Sequence, residues 1–133
     1  MSKLEDANQI CKSLSSMEKE YVDGLFPANL VFLEVSYVNK KPVGFIAVKE
    51  DFNSSHKNCY CIIAVISEYR NQGIATNLVQ QAISWFTKSE FDSLFWSCDV
   101  ENTASKNLAK KNNFKFVWKK DNDKADVYVI KKK

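Results

Sequence analysis

At 133 residues, with 45% apolar and 26% charged side chains, the chain is long enough to bury a core and too apolar for a disordered segment. No apolar run reaches the roughly 20 residues needed to cross a bilayer, and the first residues, with Glu5 and Asp6, lack the basic-then-apolar profile of an export signal, so the sequence reads as cytosolic with no membrane partner. A net charge of +3 is milder than the basic balance with interleaved aromatics of a nucleic-acid binder, and four cysteines beside a single His56 read as reduced thiols rather than as disulfides or a metal set.

In chain order, Leu4, Ala7, Ile10, Cys11 and Leu14 fall at helical spacing, and Ser15-Ser16 break the pattern and cap a second short helix over Met17 to Leu25. Leu30 to Val38 is rich in Val, Phe and Tyr and reads as a strand; Asn39-Lys40-Lys41-Pro42 is a turn, and Val43 to Lys49 is the returning strand of a hairpin. After a polar loop, Asp51 to His56, the uninterrupted apolar run Cys59 to Ile66 reads as a central strand buried on both faces.

From Gly73 the period becomes helical, with Ala75, Leu78, Val79, Ala82, Ile83 and Phe86 on one stripe. Leu94 to Val100 is a strand with Trp96 and Cys98 on one side and Ser97 and Asp99 on the other. Thr103 to Lys111 is a helix with Ala104, Leu108 and the Lys111 stem inward, closed by Asn112-Asn113, since Asn substitutes for Gly at a left-handed helix end. Phe114 to Lys119 and Asp126 to Ile130 make a final hairpin around Asp121 to Lys124. Lys106, Lys110, Lys111, Lys115, Lys119 and Lys120 read as a solvated helix and edge strand or, alternatively, as the flank of an anionic ligand, and Lys131 to Lys133 as a solvated end. The expectation is one α/β domain over residues 1–133 with a mixed sheet and no repeats.

The passage that organises the rest is Val65-Ile66-Ser67-Glu68-Tyr69-Arg70-Asn71-Gln72-Gly73-Ile74-Ala75. A strand that opens through a Gly-containing loop into a helix leaves amides at the helix start, a ready anion site. A dinucleotide fingerprint needs further glycines and a Walker A loop needs Gly-Lys-Ser/Thr; neither is present. What remains is Arg70-x-x-Gly73-x-Ala75.

This passage resembles the Arg/Gln-x-x-Gly-x-Gly/Ala signature of the GNAT N-acetyltransferases. Further on, Asn102-x-x-Ser105-x-x-Leu108-x-x-Lys111-x-x-Phe114 is similar to the family's second signature, and the element order matches over essentially the whole chain. The resemblance implies the GNAT-type acyl-CoA N-acyltransferase fold, a mixed and mostly antiparallel sheet flanked by helices, and acetyl-CoA as acetyl donor to an amine acceptor. It implies that the backbone of Ile63, Ala64 and Val65 pairs with the pantetheine arm. It also implies that the amides of Asn71, Gln72, Gly73, Ile74, Ala75 and Thr76, with the loop of Arg70, hold the pyrophosphate, and that Asn102 contacts the cofactor as well as capping its helix.

The catalytic half of the pattern departs from the family. The usual Tyr acid is Ala109, the usual Gly before the final Phe is Asn113, and the two usual Glu base positions are Ser97 and Cys59. Tyr60 and Tyr128 are the hydroxyls that remain as acid candidates, and Asp99, Ser97 and Glu101 are the remaining groups near the base position. A thiol near pKa 8.5 is already a moderate leaving group, so loss of a general acid costs about 10²–10⁴ in rate rather than all activity. The reading is therefore an N-acetyltransferase acting by direct attack of a small-molecule or protein amine. The alternative is a catalytically weak acyl-CoA-binding sensor or interaction module, whereas a toxin acting on aminoacyl-tRNA fits the charge and Ala109 poorly. The acceptor site is expected across the sheet from the cofactor, lined by the first helices and the Asp51 to Asn58 loop. The short N-terminal region leaves it open or completed by a second subunit as a homodimer.

Overall fold

The computed structural model describes residues 3–12, 29–52, 57–120, 122 and 124–132. Its elements are α1 (Lys3–Lys12), β1 (Leu30–Val38), β2 (Lys41–Glu50), β3 (Asn58–Val65), a 3₁₀ turn (Ser67–Tyr69), α2 (Ile74–Lys88), β4 (Ser93–Asp99), α3 (Thr103–Lys111), β5 (Lys115–Lys120) and β6 (Ala125–Lys131). The expected second helix, Met17 to Leu25, and His56 lie outside the described residues, as does most of the segment between β2 and β3.

The strands form one sheet in the order β1-β2-β3-β4-β6-β5. Every neighbouring pair is antiparallel except β3 with β4, which run parallel. The hairpin between β1 and β2 turns on Asn39 and Lys40, both at positive φ (50° and 68°), the pair of left-handed residues a type I′ turn requires. The expected turn is thus shorter by two residues, because Lys41 and Pro42 already belong to β2.

Two apolar clusters hold the sheet. On one face, Leu78, Val79, Ala82 and Phe86 of α2 pack with Ile46, Val48, Val65, Leu94, Trp96 and Cys98, and the same cluster continues to Ala109 and Phe114 beneath α3. Trp85 stacks on Phe32 with ring centroids 5.2 Å apart, which ties α2 to the edge strand β1. On the opposite face, Ala7 and Ile10 of α1 cover Val35, Phe45 and Ala47, with Ile62 and Ala64 partly buried beside them. Asp6 accepts a hydrogen bond from the Tyr37 hydroxyl at 2.5 Å, fixing α1 against β1. Helices α2 and α3 therefore share one face, and α1 covers the β1–β2–β3 half of the other.

One expectation is overturned. β3 is central in the sheet, but it is not buried on both faces: only Cys59 and Val65 are fully enclosed, Tyr60 is exposed, and Cys61 to Ala64 are half-buried. The reason lies in its neighbour. The parallel register with β4 runs through Asn58↔Ser93, Cys59↔Leu94 and Tyr60↔Phe95 and stops there.

Candidate functional site

The functional geometry begins where that register ends. Ile66 N–H donates to Val43 C=O at 2.8 Å, so in the regular antiparallel ladder with β2 the bonded residues of β3 are Ile66, Ala64, Ile62 and Tyr60. The intervening residues, Ile63 and Val65, turn their peptide groups toward β4, and past Phe95 no β4 residue is in register to meet them. The result is a wedge between two strands of one sheet, lined by main-chain donors and acceptors. Ala64, placed with Ile63 and Val65 by the sequence, spends its peptide groups on β2 and offers the wedge no main-chain partner.

Two thiols close the narrow end. Cys59 Sγ donates to the carbonyl of Ser93 at 3.5 Å, and Cys61 Sγ to that of Phe95 at 3.4 Å. Burial pushes the Cys59 thiol up to about 12 and raises that of Cys61 as well. Cys59 therefore stays protonated and is no base. Its role is to join strands.

At the wide end, β3 passes into the 3₁₀ turn and the loop before α2. Arg70 Nε donates to Val65 C=O at 2.9 Å, drawing the loop back onto the end of the strand. Asn71 at φ 64° and Gly73 at φ 81° are left-handed, with Gln72 between them, and Gly73 is the N-cap of α2 with no capping side-chain bond. Alternation of left- and right-handed residues curls successive N–H groups into a concave nest. The first ladder bond of α2 is Asn77 N–H to Gly73 C=O at 3.0 Å, so the amides of Ile74, Ala75 and Thr76 precede the helix ladder. They add the positive end of a 15-residue helix dipole. A Cβ built on Gly73 meets nothing within 4 Å, so the approach to the nest is open. A diphosphate fits this arrangement, and an extended amide-bearing chain fits the wedge that leads from it.

The second motif builds the far wall. Asn102 Oδ1 accepts from Ser105 N–H at 3.1 Å, an N-cap for α3. The helix ends in a Schellman motif: Phe114 N–H to Ala109 C=O at 3.0 Å, Asn113 N–H to Lys110 C=O at 3.1 Å, with Asn113 left-handed at φ 71°. Asn thus does the conformational work of the family's glycine. The inward face differs from the one expected: Ala104 and Lys111 are exposed, and Ser105, Leu108, Ala109 and Asn112 turn toward the sheet. Ser105 rotates inward because its hydroxyl accepts the indole N–H of Trp96 at 3.0 Å.

The candidate acid and base residues divide by sheet face. Tyr128 lies opposite Trp96 on the helix-covered face, is 1% exposed, and has its hydroxyl raised by burial with the Asp126 and Cys98 charges adding to it. Tyr60 lies opposite Phe95 and is 37% exposed. Ser97 is exposed on the same face as Phe95, and Asp99, half-buried, accepts Glu101 N–H at 2.9 Å. Tyr60, Ser97 and Asp99 thus share the face opposite α2 and α3, and Tyr128 does not join them. Ala109 is fully enclosed in the cluster that holds Trp96, Phe114 and Tyr128. Among the described residues no group of three His, Cys, Asp or Glu is placed to hold a metal ion. No helix among them is long and apolar enough to cross a membrane.

Two contributors escaped sequence reasoning. Gly44 pairs with Val65, and a Cβ there would sit 3.2 Å from Ala64 O, 3.2 Å from Val65 Cγ2 and 3.3 Å from Ile74 Cγ2. It lets β2, the end of β3 and the start of α2 converge under the nest. A glycine inside an otherwise apolar strand was the available signal. The thiol of Cys61 gave none, since its role depends on register with β4.

A split sheet, a main-chain wedge and an anion nest at one helix start define an acyl-CoA N-acyltransferase architecture. The model of the acetyltransferase (GNAT) family matches residues 3–114, and the chain belongs to that family. Among solved structures it is similar to an N-acetyltransferase from Staphylococcus aureus Mu50, at 25% identity and TM-score 0.64 over 74% of this chain and 66% of that one. It is also similar to smu.2055 from Streptococcus mutans UA159, at 18% identity and TM-score 0.74 over 98% and 96%. A third is the PaiA N-acetyltransferase from Thermoplasma acidophilum in complex with coenzyme A, at 16% identity and TM-score 0.66 over 78% and 62%. The chain thus spans just under two thirds of the length of the Staphylococcus and Thermoplasma relatives. No curated protein sequence matches it.

Proposed function

We propose that this protein transfers the acetyl group of acetyl-CoA to an amine. The observation that carries the reading is the continuity of two main-chain features: the nest at Asn71 to Thr76 and the wedge beside Ile63 and Val65. Diphosphate at the first and pantetheine along the second bring the thioester to the seam beside Tyr60 and Phe95. When bound, acetyl-CoA supplies the acyl thioester. The Ile63 amide, the deeper of the two directed into the wedge, is the donor suited to the developing oxyanion, a contact worth about 3–4 kcal/mol in other acyl transfers.

The proton handling is left to exposed groups. Tyr60, Ser97 and water on the open face are the candidates to protonate the departing thiolate. Tyr128 is a poorer one, because its hydroxyl lies under α3.

A second reading, a coenzyme-binding module with little turnover, draws on Ala109 being sealed in the core where the family's acid stands. One experiment separates the two. The purified protein is titrated with acetyl-CoA by calorimetry, then incubated with amines while free thiol is followed. Binding with amine-dependent thiol release supports the transferase; binding with release no faster than in buffer supports the module; absence of binding sinks both.

A further inference from the structure

The β4–β6–β5 half of the sheet face opposite α2 and α3 carries exposed side chains whose composition selects among amines. Cross-strand partners in an antiparallel pair share a face. Phe95, Ser97 and Asp99 of β4 therefore share theirs with Val129, Val127 and Ala125 of β6, and these with Lys115, Trp118 and Lys120 of β5. Lys131 joins them opposite Ser93, and Tyr60 completes the row across the seam.

Two properties of this face stand out. The first is aromatic. Phe95 and Trp118 meet with ring centroids 6.0 Å apart, Trp118 is 47% exposed, and Tyr60 lies beside Phe95. Exposed aromatics clustered at a reaction seam form a surface for an apolar side chain. The second is charge. Lys115, Lys120 and Lys131 are exposed on this half-face, which among the described residues holds one carboxylate, the half-buried Asp99, and that accepts Glu101 N–H. The other buried carboxylate of these strands, Asp126, lies on the opposite face between Lys119 at 2.9 Å and Lys106 at 3.4 Å. Such a field repels polyamines and lysine-rich tails and attracts neutral or acidic chains.

Resting on the proposed acetyl transfer, we infer that the acceptor is the α-amine of a peptide whose first side chain is apolar and whose following residues are neutral or acidic. The chemistry agrees. An α-amine with pKa about 7.7–8 is substantially neutral near pH 7.5, whereas a lysine amine near 10.4 needs a strong base, and the one carboxylate of this face among the described residues, Asp99, is engaged by Glu101 N–H. The ammonium first gives its proton to water. The neutral nitrogen then attacks the acetyl carbonyl, the C–N bond forms and the C–S bond breaks. The second nitrogen proton passes through water to the departing thiolate, leaving amide, free thiol and one proton in solution.

The test uses the full chain, acetyl-CoA and a panel of acceptors: Leu-Glu-Asp-Gly, Gly-Glu-Asp-Gly, Leu-Lys-Arg-Gly, spermidine and an α-acetylated lysine peptide, with products identified by mass. Expected is a kcat/KM for the leucine-first acidic peptide at least tenfold above each of the others. Trp118→Ala should erase most of the leucine-over-glycine preference through KM, and Lys115→Glu with Lys120→Glu should erase the acidic-over-basic preference. Faster transfer to spermidine or to the lysine side chain overturns the inference and leaves acetyl transfer standing. Unchanged preferences in the Trp118 variant, with circular dichroism showing an intact fold, also overturn it. If no acceptor is acetylated although acetyl-CoA binds, both the inference and the transferase reading fall.

Discussion

Arg70 directs its guanidinium not outward but onto the last carbonyl of the strand it follows, Nε to Val65 O at 2.9 Å. That bond closes the 3₁₀ turn onto the strand end directly before Asn71, so the residue that marks the motif in the sequence acts on the shape of the anion nest. A charge-assisted bond of this kind is worth about 1.5–3 kcal/mol. Arg70→Ala is expected to weaken coenzyme A binding roughly tenfold to a hundredfold, about 1.4 kcal/mol per tenfold, with the far-UV spectrum unchanged. Arg70→Lys should recover little, because an ammonium lacks the fixed fork. Calorimetric titration with coenzyme A decides it: equal affinities for the variants and the parent would show that the loop holds its shape without this bond.

Gly73 separates backbone strain from steric exclusion. Its φ of 81° disfavours any side chain with a Cβ, yet the Cβ itself would meet nothing. Gly73→Ala should therefore destabilise by about 1–2 kcal/mol through strain alone. Gly73→Asn, which tolerates the left-handed region, should cost less. Gly73→Glu should abolish coenzyme A binding by setting a carboxylate at the helix start, with a melting temperature close to that of Gly73→Ala. Retained affinity in the glutamate variant would refute the diphosphate assignment.

Restoring the family's tyrosine at position 109 should fail. Ala109 is fully enclosed with Trp96 and Phe114, whose rings meet edge-on with centroids 5.4 Å apart. A tyrosine must displace them, and overpacking of this sort costs about 1–3 kcal/mol. Ala109→Tyr should lower the melting temperature without raising kcat. A gain in kcat at unchanged stability would mean that α3 can turn its side chain into the wedge.

The seam also titrates. The Cys59 thiol is pushed up to about 12 from an ordinary value of 9.0. Above pH 9 the unfolded chain loses this proton while the folded one keeps it. The stabilisation is therefore complete below about 9 and lost as pH rises from there toward 12. Urea unfolding at stepped pH should show stability falling through this range, with a smaller slope in Cys59→Ala. An identical slope in that variant would assign the fall to other groups.

Much of this was legible in the sequence, and the exceptions share a cause. Strand β1 and helix α3 have the bounds that β-branched and aromatic content and the Asn112-Asn113 stop indicated, because those signals are local. The nest was legible for the same reason: a strand, one glycine and an amphipathic stretch are consecutive. What misled was β3. Its unbroken apolar run reports faces that meet helices, but burial also depends on whether the strand's edge is met by a neighbour, and that is set by register with β4, over thirty residues away. The inward face of α3 was misjudged because hydrophobicity favours Ala104, whereas the buried indole of Trp96 needs the hydroxyl of Ser105. The acid–base group stayed illegible for a different reason: the positions that carry it in the family pattern here hold Ala109, sealed in the core, Cys59, kept protonated by burial, and Ser97, exposed but no carboxylate.

The short parallel register also bears on mechanics. Three residue pairs and two thiol bonds join a β1–β2–β3 leaf to a β4–β6–β5 leaf, and α2 spans them. Such a sheet can open about its seam like a book, and a ligand lying along Ile63 and Val65 acts as the missing rung that holds the leaves at one angle. Amide hydrogen exchange at these two residues should therefore slow far more on coenzyme A binding than at Ala64, whose amide is already spent on β2. This single-residue alternation over Ile63, Ala64 and Val65, fast, slow, fast without ligand turning to uniformly slow with it, would mark the coenzyme as a structural strand of the protein that uses it.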